Sequence, residues 1–254
     1  MIRAEYEADG LVRRCRELAD TSIVNELAQK APRFEAAAQD YKRQGVNRVP
    51  YFFTPAIEQA ARDANLLGAV AEVLGKDEPW VAWGPNVRAS TPNEANRWHV
   101  DLESWIWPGS VTAVVGLSGC SEQNATRCIP GSHRLDKAPH CAGDDTDSDA
   151  VTRKARSLDE RCGDVESFNG FGDGRFYLFD ARCWHQGDPR TGAGVTRLFI
   201  HYQRASDPRV PHMADYERRA WLDEPAPFIE SQSGAASTRL YSVPWKERLA
   251  GFLR

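Results

Sequence analysis

The stretch Arg97-Trp98-His99-Val100-Asp101 sets a histidine and a carboxylate two residues apart, and a second histidine, His185, follows much later in the chain. In an extended strand, residues i and i+2 project from the same face. A strand here therefore sends His99 and Asp101 into one space. Two neutral imidazoles and one carboxylate on one side of a metal ion leave its other side open, the donor set of non-heme Fe(II) centres. His-x-Asp is a common spacing, so the weight of this reading falls on the elements that must bring the distant histidine alongside.

Those elements divide the chain into three stretches. Residues 1–78 read as helical. Leu11, Val12, Cys15 and Leu18 recur at helical spacing, and Ile23, Leu27 and Ala28 resume it after Asp20-Thr21-Ser22. Thr54-Pro55 is a helix start, with Thr as N-cap and Pro at the first helical position. An apolar stripe then runs from Ile57 to Leu74, closed by Gly75 at a C-cap. From Trp80 to about residue 205 the pattern changes to short strands with turn punctuation: Trp80–Ala89, Trp98–Asp101, Val111–Ser118, Arg127–Ile129, Arg175–Phe179 and Val195–Gln203. Helices followed by many short strands predict an α+β chain, its core a jelly roll or double-stranded β-helix with the N-terminal helices packed on the sheet. Residues 134–171 are polar and read as a long loop with one helix over Ala150–Leu158, and 206–254 as an extension docked on the core. The whole chain, 1–254, is expected to be one domain.

Composition narrows the function classes. The formal net charge of −4 argues against a general nucleic-acid binder. No apolar run approaches the ~20 residues that span a bilayer, and the N-terminus has no apolar signal region. A cytoplasmic enzyme acting on a small molecule is the expectation, with no nucleic-acid or membrane partner and an open oligomeric state. The six cysteines contain no Cys-x-x-Cys pair and read as free thiols.

Four features, in order, resemble the phytanoyl-CoA dioxygenase family of Fe(II)/2-oxoglutarate-dependent oxygenases. They are Trp98-His99-Val100-Asp101; Asn124-Ala125-Thr126-Arg127-Cys128-Ile129-Pro130-Gly131-Ser132-His133; Gly172 to Asp180 followed by His185; and Arg197, twelve positions after His185. The resemblance covers roughly residues 65–203. Ala125 departs from the family's usual Gly, and an Asn common after the distal histidine is missing. The resemblance implies His99, Asp101 and His185 as metal ligands and catalytic centre, with Fe(II), 2-oxoglutarate and O₂ as cofactor and cosubstrates. It also implies oxidation of a C–H bond of a metabolite, with release of succinate and CO₂. In halogenating relatives a small residue replaces the carboxylate. Asp101 is present here, which points to hydroxylation or another two-electron oxidation. His133 is expected to be structural rather than a fourth ligand.

Arg197 is the expected anchor of the cosubstrate. On a strand it shares a face with Phe199, His201 and Gln203. A buried guanidinium needs a carboxylate, and the distal carboxylate of 2-oxoglutarate would supply one bidentately; a protein Asp or Glu is the other candidate. Asn86 and Arg88 share a strand face and either help hold the cosubstrate or form ion pairs. Arg97, Trp98 and His201 are candidate substrate contacts, each with packing or surface charge as its alternative. Two other functions fit the same fold: a non-oxidative cupin-like isomerase or hydrolase, and a jelly-roll binder without turnover.

Overall fold

Gly10 ends the first helix. Its φ of 74° is left-handed, which costs an L side chain about 1–2 kcal/mol, and the chain turns there from α1 (Ile2–Asp9) into β1 (Leu11–Glu17). The computed structural model describes residues 2–30, 55–75, 80–90, 97–100, 110–121, 125–135, 147–168, 174–187 and 195–204.

β1 corrects the reading of residues 11–18 as helix. Leu11 pairs with Phe179 and Val12 with Leu178, antiparallel, with a register shift before Arg16. An apolar set at 11, 12, 15 and 18 fits a strand interrupted by an irregularity as well as it fits a helix. Strand pairing with β6 (Arg175–Asp180) decides the matter. Residues 22–30 then form α2, which buries Ile23, Val24 and Leu27.

The stripe from Ile57 to Leu74 is two helices, α3 (Pro55–Ala61) and α4 (Ala64–Leu74). Asp63 caps α4: its carboxylate accepts from the amides of Asn65 and Leu66. Gly75 closes the helix with a left-handed φ of 101° and an amide bonded to the Ala71 carbonyl.

Two antiparallel sheets follow. The larger has the order β1-β6-β3-β8-β2, where β2 is Trp80–Ser90, β3 is Val111–Ser118 and β8 is Val195–Arg204. The smaller has the order β5-β4-β7, from Glu166–Phe168, Thr126–Cys128 and His185–Gly187. An isolated antiparallel bridge between His99 and His185 continues this sheet beyond β7. The stretch 98–101 is expected to be a strand; among its described residues, 98–100, only that bridge at His99 forms.

Alternation along the strands sorts three cores. Val111, Ala113, Val115, Phe176, Leu178, Leu198, Ile200 and Tyr202 face the N-terminal helices. Val114, Tyr177, Phe179 and Phe199 face the smaller sheet, meeting Cys128 and Phe168. Trp98, Ile129 and Trp184 lie on the far side of the smaller sheet under α5 (Ser148–Leu158). The layers are thus helices, larger sheet, smaller sheet and α5. α5 is the helix expected over Ala150–Leu158, begun two residues earlier at Ser148; Asp147, from the aspartate-rich run, is its N-cap. Among the described residues no helix is long and apolar enough to cross a membrane.

Candidate functional site

Of the polar residues singled out in the sequence, His99, His185, His201 and Arg197 lie on the sides of the two sheets that face each other. His99 and His185 exchange both backbone hydrogen bonds, at 3.0 and 2.9 Å. That pairing brings their rings to 4.3 Å between centroids. Cys128 lies directly opposite His185 on the next strand, and Phe179 of the larger sheet packs on the His185 ring at 5.0 Å. His185 is buried and His99 half-buried.

Each imidazole is oriented by a backbone carbonyl two residues before it. His99 Nδ1 lies 2.7 Å from the Arg97 oxygen, and His185 Nδ1 lies 2.8 Å from the Cys183 oxygen. A carbonyl oxygen only accepts, so both rings carry their proton on Nδ1. The lone pair of each is then on Nε2. Metal-bound histidines are oriented in the same manner, with the other ring nitrogen bonded to a carbonyl or carboxylate. These two residues therefore fit a divalent metal in ring spacing, tautomer and donor type. Asp101 lies outside the described residues, and within those residues no group of three His, Cys, Asp or Glu donors gathers.

On the larger sheet the inner face is laid out in rows by the register. Thr112 lies between Phe179 and His201, and Val114 between Tyr177 and Phe199. Gly116 is opposite Arg197. Arg197 is buried at 6% exposure. The Cys120 thiol is raised by burial, against which the nearby Arg197 charge works in the opposite direction. Tyr177 behaves likewise: burial raises its phenol, and Arg197 and Thr126 oppose the rise. Arg197 on β8 and Tyr177 on β6 share the inner face of the larger sheet with β3 between them; sequence reasoning did not single out Tyr177. The signal for Tyr177 was its place two residues before Phe179 on an alternating strand.

Other candidates separate. His201 Nδ1 and the Thr112 hydroxyl are hydrogen-bonded at 2.9 Å on the inner face. The backbone register sets Asn86 opposite Phe199 and Arg88 opposite Arg197. Trp98 points away from His99: it is packed with Ile129 and Trp184 on the far face, with the Arg127 guanidinium 5.8 Å from its ring centre. Alternation forces this, because neighbours in an extended segment face opposite sides. Trp98 is therefore a packing residue rather than a substrate contact. The Arg97 side chain is exposed. His133 is buried beneath α1, its Nε2 3.3 Å from the Glu7 carbonyl, and burial lowers its pKa.

Residues 3–198 match the family model described as phytanoyl-CoA dioxygenase. The chain belongs to that family. The match takes in α1 and β1 as well as the sheets, a longer span than the motifs alone carry. Fe(II) and 2-oxoglutarate, expected from the sequence, are this family's cofactor and cosubstrate. No curated protein matches the chain. Among solved structures, EctD from S. alaskensis with bound Fe is similar at 19% identity and TM-score 0.57, over 81% of this chain and 76% of that one. The epimerase SnoN, solved with Fe3+, alpha-ketoglutarate and a nogalamycin, is similar at 16% and 0.56, over 81% and 83%. The non-heme monooxygenase ThoJ in complex with Ni is similar at 13% and 0.56, over 80% and 77%. At these identities the likeness is one of fold.

Proposed function

We propose that this chain is an Fe(II)/2-oxoglutarate-dependent oxygenase that hydroxylates a C–H bond of a small metabolite, on a single jelly-roll domain. The observation that carries the reading is the His99–His185 pair, with both Nδ1 protons tied to backbone carbonyls inside a chain of this family. His99, His185 and Asp101 would hold the metal. Arg197 would take the distal carboxylate of 2-oxoglutarate, for which a buried, permanently charged guanidinium is suited. When bound, iron would activate O₂, which is the oxidant, while 2-oxoglutarate would give up two electrons and leave as succinate and CO₂.

The chain's own contribution is orientation and exclusion of water. The backbone bridge fixes the separation of the two rings, and the carbonyls of Arg97 and Cys183 fix their tilt and tautomer. Phe179 and Cys128 close the His185 side against solvent. Hydroxylation is placed ahead of halogenation because Asp101 offers a carboxylate where a halide would otherwise need room.

An anaerobic titration with Fe(II) and 2-oxoglutarate tests this reading through the weak visible charge-transfer band of the chelate. The band is expected in the wild type and absent in His185→Ala. A wild type that binds iron but gives no band would move the non-oxidative metalloenzyme to first place. An unchanged band in His185→Ala would remove that residue from the site.

A further inference from the structure

Trp98 and Gln186 each stand one residue from a candidate metal-binding histidine, and one side chain grips both. Alternation sends His99 and His185 to the inner face of the smaller sheet, and Trp98 and Gln186 to its outer face. One residue out from the antiparallel His99–His185 bridge, Trp98 comes alongside Gln186, and Arg127 of β4 lies opposite Gln186 on the other side. All three are buried.

The Arg127 guanidinium reaches three partners. One Nη donates to the Gln186 side-chain oxygen, and the other donates to the hydroxyl of Ser148, the first residue of α5, at 2.9 Å. The group lies over the Trp98 ring, 5.8 Å from its centre. A planar fork of five donors can serve these three directions at once, and a single ammonium cannot.

What the grip does follows from how each histidine is held. His185 belongs to β7, paired with β4 on one side and bridged to His99 on the other. His99 has less support: among the described residues, the 97–100 segment meets the sheet at that one bridge. One bridge fixes a point but not a direction. Rotation of the segment about it would swing the His99 ring. Trp98, buried on the opposite face, is the lever that stops the rotation, and Arg127 holds it beside Gln186 of the strand that carries His185.

We propose that Arg127 is a positioning residue for the metal centre. Gripping Trp98 and Gln186 from the outer face, it sets the angle between the two imidazoles on the inner face. The proposal rests on the reading of His99 and His185 as metal ligands, and Arg127 acts through the residue beside each of them.

The experiment uses the full chain without oxygen, with Fe(II) for affinity and Co(II) for its visible ligand-field bands, which report the geometry of the bound donors. Arg127→Met keeps an apolar stem and removes every donor. It is expected to weaken Fe(II) binding about tenfold, the lower end of what losing a group that orients a metal-bound histidine costs, and to shift the Co(II) bands. Arg127→Lys keeps a charge near Trp98 without the fork, and should fall between. Val151→Ala loosens the same outer core, in which Val151 is fully buried with Trp98 and Trp184. It should lower the metal-free Tm and leave Fe(II) affinity and the Co(II) bands as in the wild type. An Arg127→Met protein with wild-type Fe(II) affinity and Co(II) bands overturns the proposal and leaves the metal reading standing. Equal loss of affinity in Val151→Ala does the same, because any loosening of this core would then reach the metal. Failure of the wild type to bind either metal overturns both readings. If Arg127→Met does not fold, Arg127→Lys decides: shifted Co(II) bands support the proposal and wild-type bands overturn it.

Discussion

Gly10 shows how one atom couples the N-terminus to the site. A Cβ built there would lie 2.5 Å from Cys183 Sγ and 2.6 Å from His133 Nδ1, on a backbone whose φ is 74°. Neither neighbour is a flexible tip. Cys183 is fully buried and its carbonyl orients the His185 ring, while His133 is wedged under α1. Gly10→Ala should therefore lower stability by roughly 2–4 kcal/mol, from left-handed strain and overpacking together. It should also weaken Fe(II) retention, since displacing Cys183 tilts the imidazole two residues on. Urea unfolding measures the first effect and anaerobic metal titration the second; a change under about 0.5 kcal/mol, typical of an ordinary surface site, would mean the contact is soft. Sequence alone offered the residue types of the candidate site and gave His133 a structural role. It did not show the tautomers, because these depend on which carbonyl each ring meets.

Among the elements, α4 depends on a single carboxylate. Asp63 accepts four backbone amides: Asn65 and Leu66 at the start of its own helix, and Ala19 and Asp20 from the turn leading into α2. One oxygen caps the helix and the other pins the α2 turn against it. Asp63→Ala would leave these amides without their acceptor in a buried setting, so a loss of about 2–4 kcal/mol is expected, above the ~1 kcal/mol of an ordinary N-cap. Asp63→Asn keeps one acceptor oxygen and should fall between the two. Equal stability of the Ala and Asn variants in chemical denaturation would refute the two-sided role. The stripe of α3 and α4 was legible, but the break between them was not, because apolar spacing continues past Arg62-Asp63. Long strands were legible from their β-branched and aromatic runs: Val111–Ser118 agrees in both bounds. The smaller sheet was harder to see. Its strands β5 and β7 are three residues each, too short for alternation to register. They are strands because they pair with β4, and pairing between distant segments is not written in either one.

The molecule as a whole is held by buried phenols in two of its layers, which gives it a predicted alkaline limit. Tyr6 and Tyr202 anchor helices to the larger sheet through hydrogen bonds to Ser110 and Ala61, and Tyr177 lies between the sheets. Burial raises the pKa of all three, with Asp180 adding to the rise at Tyr6 and Asp63 at Tyr202. A phenolate can neither donate these bonds nor remain dry. In the unfolded chain the same groups ionise near pH 10. Above that pH the unfolded state therefore binds fewer protons than the folded one, and stability falls as pH rises. Below pH 10 both states are protonated and the contribution is fully present. With three such groups the slope should approach about 4 kcal/mol per pH unit once the unfolded phenols ionise. Denaturant midpoints at neutral pH and at successive steps above pH 10 measure the slope directly. The burial has a second consequence: these tyrosines should ionise only as the fold is lost, so phenolate absorbance and loss of circular dichroism should rise together. Smooth titration of every tyrosine near pH 10 with the fold intact would show that the three hydroxyls are reached by water. Tyr177→Phe provides an internal control, expected to lower the slope by about one third because it removes one of the three buried ionisable groups.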